Sequence, residues 1–159
     1  MPKMKPLIIY YSRTKTTKKV AESISSQLNC DIEEIIDLKS RKGPIGYIIA
    51  GKEAMRKELP KIKVPTNNPQ QYDITIIGTP VWGWTISSPI RTYLTRNKDN
   101  FKKVAFFCTQ GSSGAESTFK EMEKISRKKP LATLKLTTIE VKNNDYDDKI
   151  NKFIESIKK

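Results

Sequence analysis

The feature that most constrains this chain is an alternation. Short apolar runs with no polar interruption are each followed by residues at helical spacing. Residues 7–11 (LIIYY) have no period of two, so they read as a strand buried on both faces. Val20, Ala21, Ile24 and Leu28 then recur along one helical face. Runs 32–36, 74–78 and 104–108 predict three more strands. Run 134–141, rich in Thr and β-branched residues, predicts a fifth. Between them, helices are expected over 47–59, over 89–94 behind a Ser-Ser-Pro start, around Phe119, Met122 and Ile125, and around Ile150, Phe153, Ile154 and Ile157. Pro60, Pro65 and Pro69 break 60–72 into an extended connection, and the whole segment 38–72 gives the weakest pattern. Strands alternating with helices imply parallel strands, right-handed crossovers and helices on both faces. The expected fold is therefore α/β: a doubly wound, five-stranded parallel sheet of order 2-1-3-4-5, in one domain over residues 1–159. Such sheets bind ligands beyond the carboxyl ends of their strands, where the order switches between strands 1 and 3.

Composition excludes several classes. There is no histidine and there are only two cysteines, Cys30 and Cys108. That removes the commonest acid/base group and leaves too few soft ligands for a structural zinc site. Two thiols far apart in sequence suit a reducing compartment. No apolar run approaches the roughly 20 residues of a membrane span, so no membrane insertion is expected. The start of the chain lacks a signal-peptide pattern, which leaves the cytoplasm as the expected location. The net charge is +13, spread along the whole chain. A balance this basic attracts anionic partners.

The sheet topology directs attention to three loops. The first, Ser12-Arg13-Thr14-Lys15-Thr16-Thr17, gathers four hydroxyls at a helix N-terminus, more than N-capping requires and suited to a phosphate. It has neither the Walker pattern nor the three glycines of a dinucleotide turn. The second, residues 79–89, carries Thr79, Pro80, Val81, Trp82, Gly83 and Trp84. Two tryptophans at a turn can stack on a flat ring or cap the core. The third, Thr109-Gln110-Gly111-Ser112-Ser113-Gly114, is built from small residues that let its backbone approach a ligand.

Tyr-Tyr-Ser-Arg-Thr-Lys-Thr-Thr-Lys-Lys-Val-Ala (10–21), Gly-Thr-Pro-Val-Trp (78–82) and Cys-Thr-Gln-Gly-Ser-Ser-Gly (108–114) together resemble the three cofactor-contacting segments of flavodoxins, in the family's order and spacing. The uninterrupted fifth strand resembles the short-chain branch. The resemblance implies flavin mononucleotide (FMN) as cofactor. It implies that Ser12, Thr14, Thr16 and Thr17 hold the phosphate, that Trp82 lies on one ring face, and that 109–114 line the pyrimidine end. Three departures stand out. Lys15 replaces the usual glycine and would be strained if that position needs positive φ. The third loop lacks the aromatic that covers the outer ring face in many members, which leaves that face open or covered by another element such as Trp84. The chain is basic where classical members are acidic.

These features give three expectations. The first is an FMN-binding electron carrier with an acidic redox partner protein. The second is an NAD(P)H-dependent FMN or quinone reductase on the same site. The third is a nucleic-acid-binding protein, against which the aromatics do not interleave with the basic clusters.

Overall fold

The structure is a computed structural model that describes residues 3–39 and 43–159. Residues 1–2 and 40–42, the latter within the weakly patterned segment 38–72, lie outside the described residues.

Five parallel strands form the sheet: β1 (Pro6–Tyr10), β2 (Asp31–Glu34), β3 (Ile74–Trp82), β5 (Lys103–Gln110) and β6 (Thr133–Thr137). Their order is β2-β1-β3-β5-β6, and a two-residue strand β4 (Thr85–Ile86) pairs antiparallel with the end of β3. With β4 set aside this is the expected 2-1-3-4-5 order. Ile8 stands in register with Ile32 on one side and Ile76 on the other. Six helices are formed among the described residues: α1 (Thr16–Leu28), α2 (Gly43–Met55), α3 (Ser88–Asn97), α4 (Ala115–Ser126), α5 (Thr138–Lys142) and α6 (Asp147–Lys158).

The unalternating runs bury both faces of each central strand. Leu7, Ile9, Ile77, Val104 and Phe106 face one core with residues of α2, α3 and α4. Ile8, Tyr10, Ile76, Ala105 and Phe107 face the other, with residues of α1, α5 and α6. Successive side chains on a strand point to opposite faces, so neighbours such as Phe106 and Phe107 serve different cores. Burying a side chain of this size contributes about 1.5–3 kcal/mol. Gly78 lies under the Phe107 ring, where an added Cβ would meet Cζ at 2.0 Å.

Several boundaries differ from the sequence reading; β2 ends at Glu34 rather than 36, and α3 runs on to Asn97 rather than 94. The fifth strand stops at Thr137 rather than 141. There Thr137 Oγ1 accepts from the Glu140 N–H and the Glu140 carboxylate accepts from the Thr137 N–H, a capping box that opens α5. Reciprocal capping outweighs the β preference of the Thr-Thr-Ile-Glu-Val run. β3 continues through Trp82, so residues 79–82 are strand and the turn is only Gly83-Trp84. β5 likewise takes in Thr109 and Gln110, leaving 111–114 as the connection. Finally, α2 starts at Gly43 and ends at Met55, four residues earlier at each end than the pattern suggests.

Candidate functional site

The carboxyl ends of β1, β3 and β5 open onto two adjoining cavities. The smaller, about 170 Å³, is bordered by Arg13, Thr14, Thr16 and Thr17 of the first loop, by Pro80, Val81 and Trp82 of β3, by Thr109, Gln110 and Gly111, and by Tyr47 and Thr138. The larger, about 340 Å³, is bordered by Val81, Trp82, Gly83 and Trp84, by Gly111, Ser112 and Ser113, and by Tyr47, Ile48 and Gly51 of α2. Tyr47, Val81, Trp82 and Gly111 border both, so the two are compartments of one cleft.

The first loop is shaped by Lys15, which caps α1 at φ 70°, ψ 1°. A non-glycine residue in this left-handed region costs about 1–2 kcal/mol. Its carbonyl accepts from the Lys19 N–H at 3.1 Å, starting the helix. Ser12 Oγ accepts from the Lys18 N–H at 3.1 Å. The N–H groups of Thr16 and Thr17, in the first turn, have no intrahelical carbonyl to meet and open the helix toward the small cavity. The Thr14 and Thr16 hydroxyls lie 3.3 Å apart, and Thr17 Oγ1 lies 2.8 Å from Thr109 Oγ1. The Lys15 side chain turns outward, bordering a separate groove with Lys18, Lys19 and Tyr146.

The second segment is a hairpin tip. Gly83 (φ 56°) and Trp84 (φ 63°) link two strands in a two-residue turn, and positive φ at both positions makes it type I′. Trp84 is 64% exposed, whereas Trp82 is 6% exposed and meets Tyr11 edge-on at 5.4 Å. Trp84 Nε1 donates to Ser113 Oγ at 3.2 Å, and Ser117 Oγ donates to the Trp84 carbonyl. Buried Arg91 reaches Thr85 Oγ1 and Glu121 of α4, each at 3.3 Å, fastening the hairpin to that helix.

The third segment is held from beneath. Gln110 Oε1 accepts from the Ala115 N–H at 3.0 Å. Gly114 caps α4 at φ 107°, where an added Cβ would meet Val81 Cγ1 at 2.7 Å. Cys108 lies below, its thiol pushed up to about 12 by burial, so it carries no nucleophilic thiolate. At the start of α4, Lys135 holds the exposed Glu116 carboxyl below its ordinary range.

Fourteen of the eighteen sequence-predicted site residues border the cleft; Ser12, Lys15, Thr79 and Gly114 do not. Ser12 caps α1. Thr79 is fully buried, with Oγ1 2.8 Å from Ser87 Oγ and accepting from the Ser87 N–H. Gly114 packs against the hairpin. Sequence reasoning missed Tyr47, Ile48, Gly51 and Thr138. The start of α5 could have been found from its Thr-x-x-Glu capping pattern. The signal in α2 is an excess of large apolar residues on a helix whose buried positions are Gly46, Ala50, Glu53 and Ala54.

Among the described residues that border the cleft, only Arg13 and Tyr47 carry titratable side chains. Hydroxyls and N–H groups at a helix N-terminus fit an anion at one end. The other end is bordered by Trp82 and Trp84, and Gly51 and Gly111 leave its wall bare, since an added Cβ at either would meet nothing within 4 Å.

The flavodoxin family model matches residues 5–157. A flavoprotein from Lactobacillus acidophilus solved in complex with FMN is 25% identical; the match covers 89% of this chain and 98% of that one, with a TM-score of 0.71. Two further matches show the fold alone. The two-electron reduced flavodoxin of Megasphaera elsdenii is 16% identical, with 95% and 96% coverage and a TM-score of 0.60. Oxidised flavodoxin 1 of Bacillus cereus is 18% identical, with 97% coverage of both chains and a TM-score of 0.57. No curated protein matches the chain in sequence.

Proposed function

This chain belongs to the flavodoxin family, and we propose on that premise that it binds FMN in the two-compartment cleft and serves as an electron carrier. The observation that carries the reading is the adjacency of the compartments. A hydroxyl-lined pocket at the N-terminus of α1 opens directly into an aromatic-walled, glycine-floored space. The residues present fit the group. Thr14, Thr16 and Thr17 would meet the phosphate, Trp82 and Trp84 the ring region, and Gly111 to Ser113 its polar edge. FMN supplies the electron chemistry; the protein supplies position and field. The chain's own contribution is to anchor the phosphate, exclude water with Trp82 and Val81, and surround the site with a positive field.

The net charge of +13 supports an acidic redox protein as partner, since opposite charge raises the association rate. Cys30 and Cys108 are both unpaired, which supports the cytoplasm as compartment. One observation favours a second reading, an NAD(P)H-dependent FMN or quinone reductase. The third loop brings only Gly111, Ser112 and Ser113 to the large compartment, leaving that side without an aromatic. The experiment for both is spectroscopy of the purified protein supplied with FMN, followed by steady-state oxidation of NADH and NADPH with and without quinone. Flavin bands with no turnover fit the carrier; turnover at enzymatic rates fits the reductase; no flavin uptake ends both.

A further inference from the structure

The large compartment has a wall that belongs to none of the three loops. Tyr47, Ile48 and Gly51 of α2 stand along it, with Tyr47 66% and Ile48 57% exposed. α2 lies on the body through Gly46, Ala50, Ala54 and the buried Glu53, whose carboxylate pairs with Lys39 at 2.7 Å, and turns large apolar residues outward beside the cleft. Gly51 sits inside the helix, where glycine weakens helical structure. Its φ lies outside the left-handed region, and an added Cβ would meet nothing within 4 Å. Neither backbone nor packing asks for glycine at this position, which borders the cleft.

Arg13 joins this wall to the first loop. Its Nη2 donates to the Gly43 carbonyl, in the first turn of α2, at 3.0 Å, and its guanidinium lies 5.4 Å from the centre of the Tyr47 ring. The same side chain borders the small compartment. One residue therefore touches both the anion end of the cleft and the helix that walls the ring end.

We propose that α2 is the cover of the ring compartment, with Tyr47 standing where the third loop has no aromatic, and that Arg13 is a positioning residue that holds this cover shut. The proposal rests on the cleft being the FMN site. It separates two roles for Arg13. A guanidinium that only binds phosphate acts on FMN and leaves riboflavin, which has no phosphate, untouched. A guanidinium that holds α2 acts on both.

The test is titration of FMN and riboflavin against the wild-type chain and its Arg13→Gln, Tyr47→Ala and Gly51→Ala variants. It is paired with thermal unfolding and amide exchange of the ligand-free proteins. Arg13→Gln should weaken riboflavin about three- to tenfold, through loss of the cation–π contact with Tyr47 and the bond to the Gly43 carbonyl. Tyr47→Ala should weaken FMN and riboflavin by equal factors, and the double variant should fall short of the product of the two effects, since both act through one contact. Gly51→Ala should raise the melting temperature of the ligand-free protein and weaken both ligands. Without ligand, Arg13→Gln should speed amide exchange in the first turn of α2. If Arg13→Gln weakens FMN alone and leaves exchange unchanged, Arg13 is a phosphate ligand and the proposal fails. If Gly51→Ala leaves both affinities unchanged, α2 is not a wall of the ring site. A wild-type chain that binds neither flavin overturns the FMN reading and this proposal together; one that binds both, with variants unaffected, overturns only the proposal.

Discussion

Thr17 Oγ1 and Thr109 Oγ1 lie 2.8 Å apart in a buried contact that ties the first turn of α1 to the end of β5, across 92 residues of sequence. This bond fixes the floor of the small compartment. Thr17→Val leaves a buried hydroxyl without its partner, at a cost of about 1–3 kcal/mol, whereas replacing both by Val removes the unmet group. Chemical denaturation should therefore show the single variant destabilised and the double variant near the wild type. FMN affinity should stay low in both, because neither keeps Thr17 Oγ1. A double variant as unstable as the single would show that the pair does not act as a unit.

Trp84 occupies the second position of a type I′ turn at φ 63°, where Gly or Asn is preferred. Its largely exposed ring gains little from burial in return. Trp84→Gly should raise the stability of the ligand-free protein by up to about 1 kcal/mol and weaken FMN binding. Parallel unfolding and binding measurements check the opposite signs. A loss of both would mean that the bonds to Ser113 and Ser117 outweigh the strain.

Glu140 closes the capping box of α5 and pairs with Lys149, which together hold its carboxyl below the ordinary range. A depressed folded-state pKa adds stability that is present above the unfolded value and is lost as pH falls through the folded one. Glu140→Gln keeps the cap but loses the ion pair with Lys149, so it should cost up to about 1 kcal/mol at neutral pH, and the difference should vanish below the carboxylate range. Denaturant midpoints at neutral and acidic pH measure it; a difference independent of pH contradicts the assignment.

The +13 charge has a redox consequence. Reduction adds negative charge at the ring, and a positive field favours the reduced state. Salt screens charges beyond about 8–10 Å, so the summed bias is modest, about 1–3 kcal/mol. The midpoint potential of bound FMN should fall as salt is added. An unchanged potential would show that local hydrogen bonding at the ring governs it.

Much of this was legible in the sequence because both-face burial leaves an unambiguous trace. The runs around Ile8, Ile76 and Phe106 gave three adjacent strands, and their order located the cleft. The position of Lys15 was read as a candidate for positive φ, and its φ is 70°. What escaped has physical reasons. Residues 138–141 carry β-branched side chains, and only the Thr137–Glu140 capping box turns them into helix. The sequence reading ends the third strand at 78 and puts Thr79 to Trp82 in the loop that follows. Pro80 still fits in β3 beside Thr109, near the strand's end. α2 was hardest, because its contact with the body runs through small residues while its large ones face outward, the reverse of the usual amphipathic signal.

The central claim is that the first loop is a phosphate site continuous with a ring site. The measurement that tests it most directly is a side-by-side titration of the ligand-free protein with FMN and riboflavin. Hydrogen bonds to a charged phosphate contribute about 1.5–3 kcal/mol each. FMN should therefore bind at least about tenfold more tightly than riboflavin, and Thr14→Ala with Thr17→Ala should shrink the gap by weakening FMN. Equal affinity for the two flavins in the wild-type protein would contradict the account.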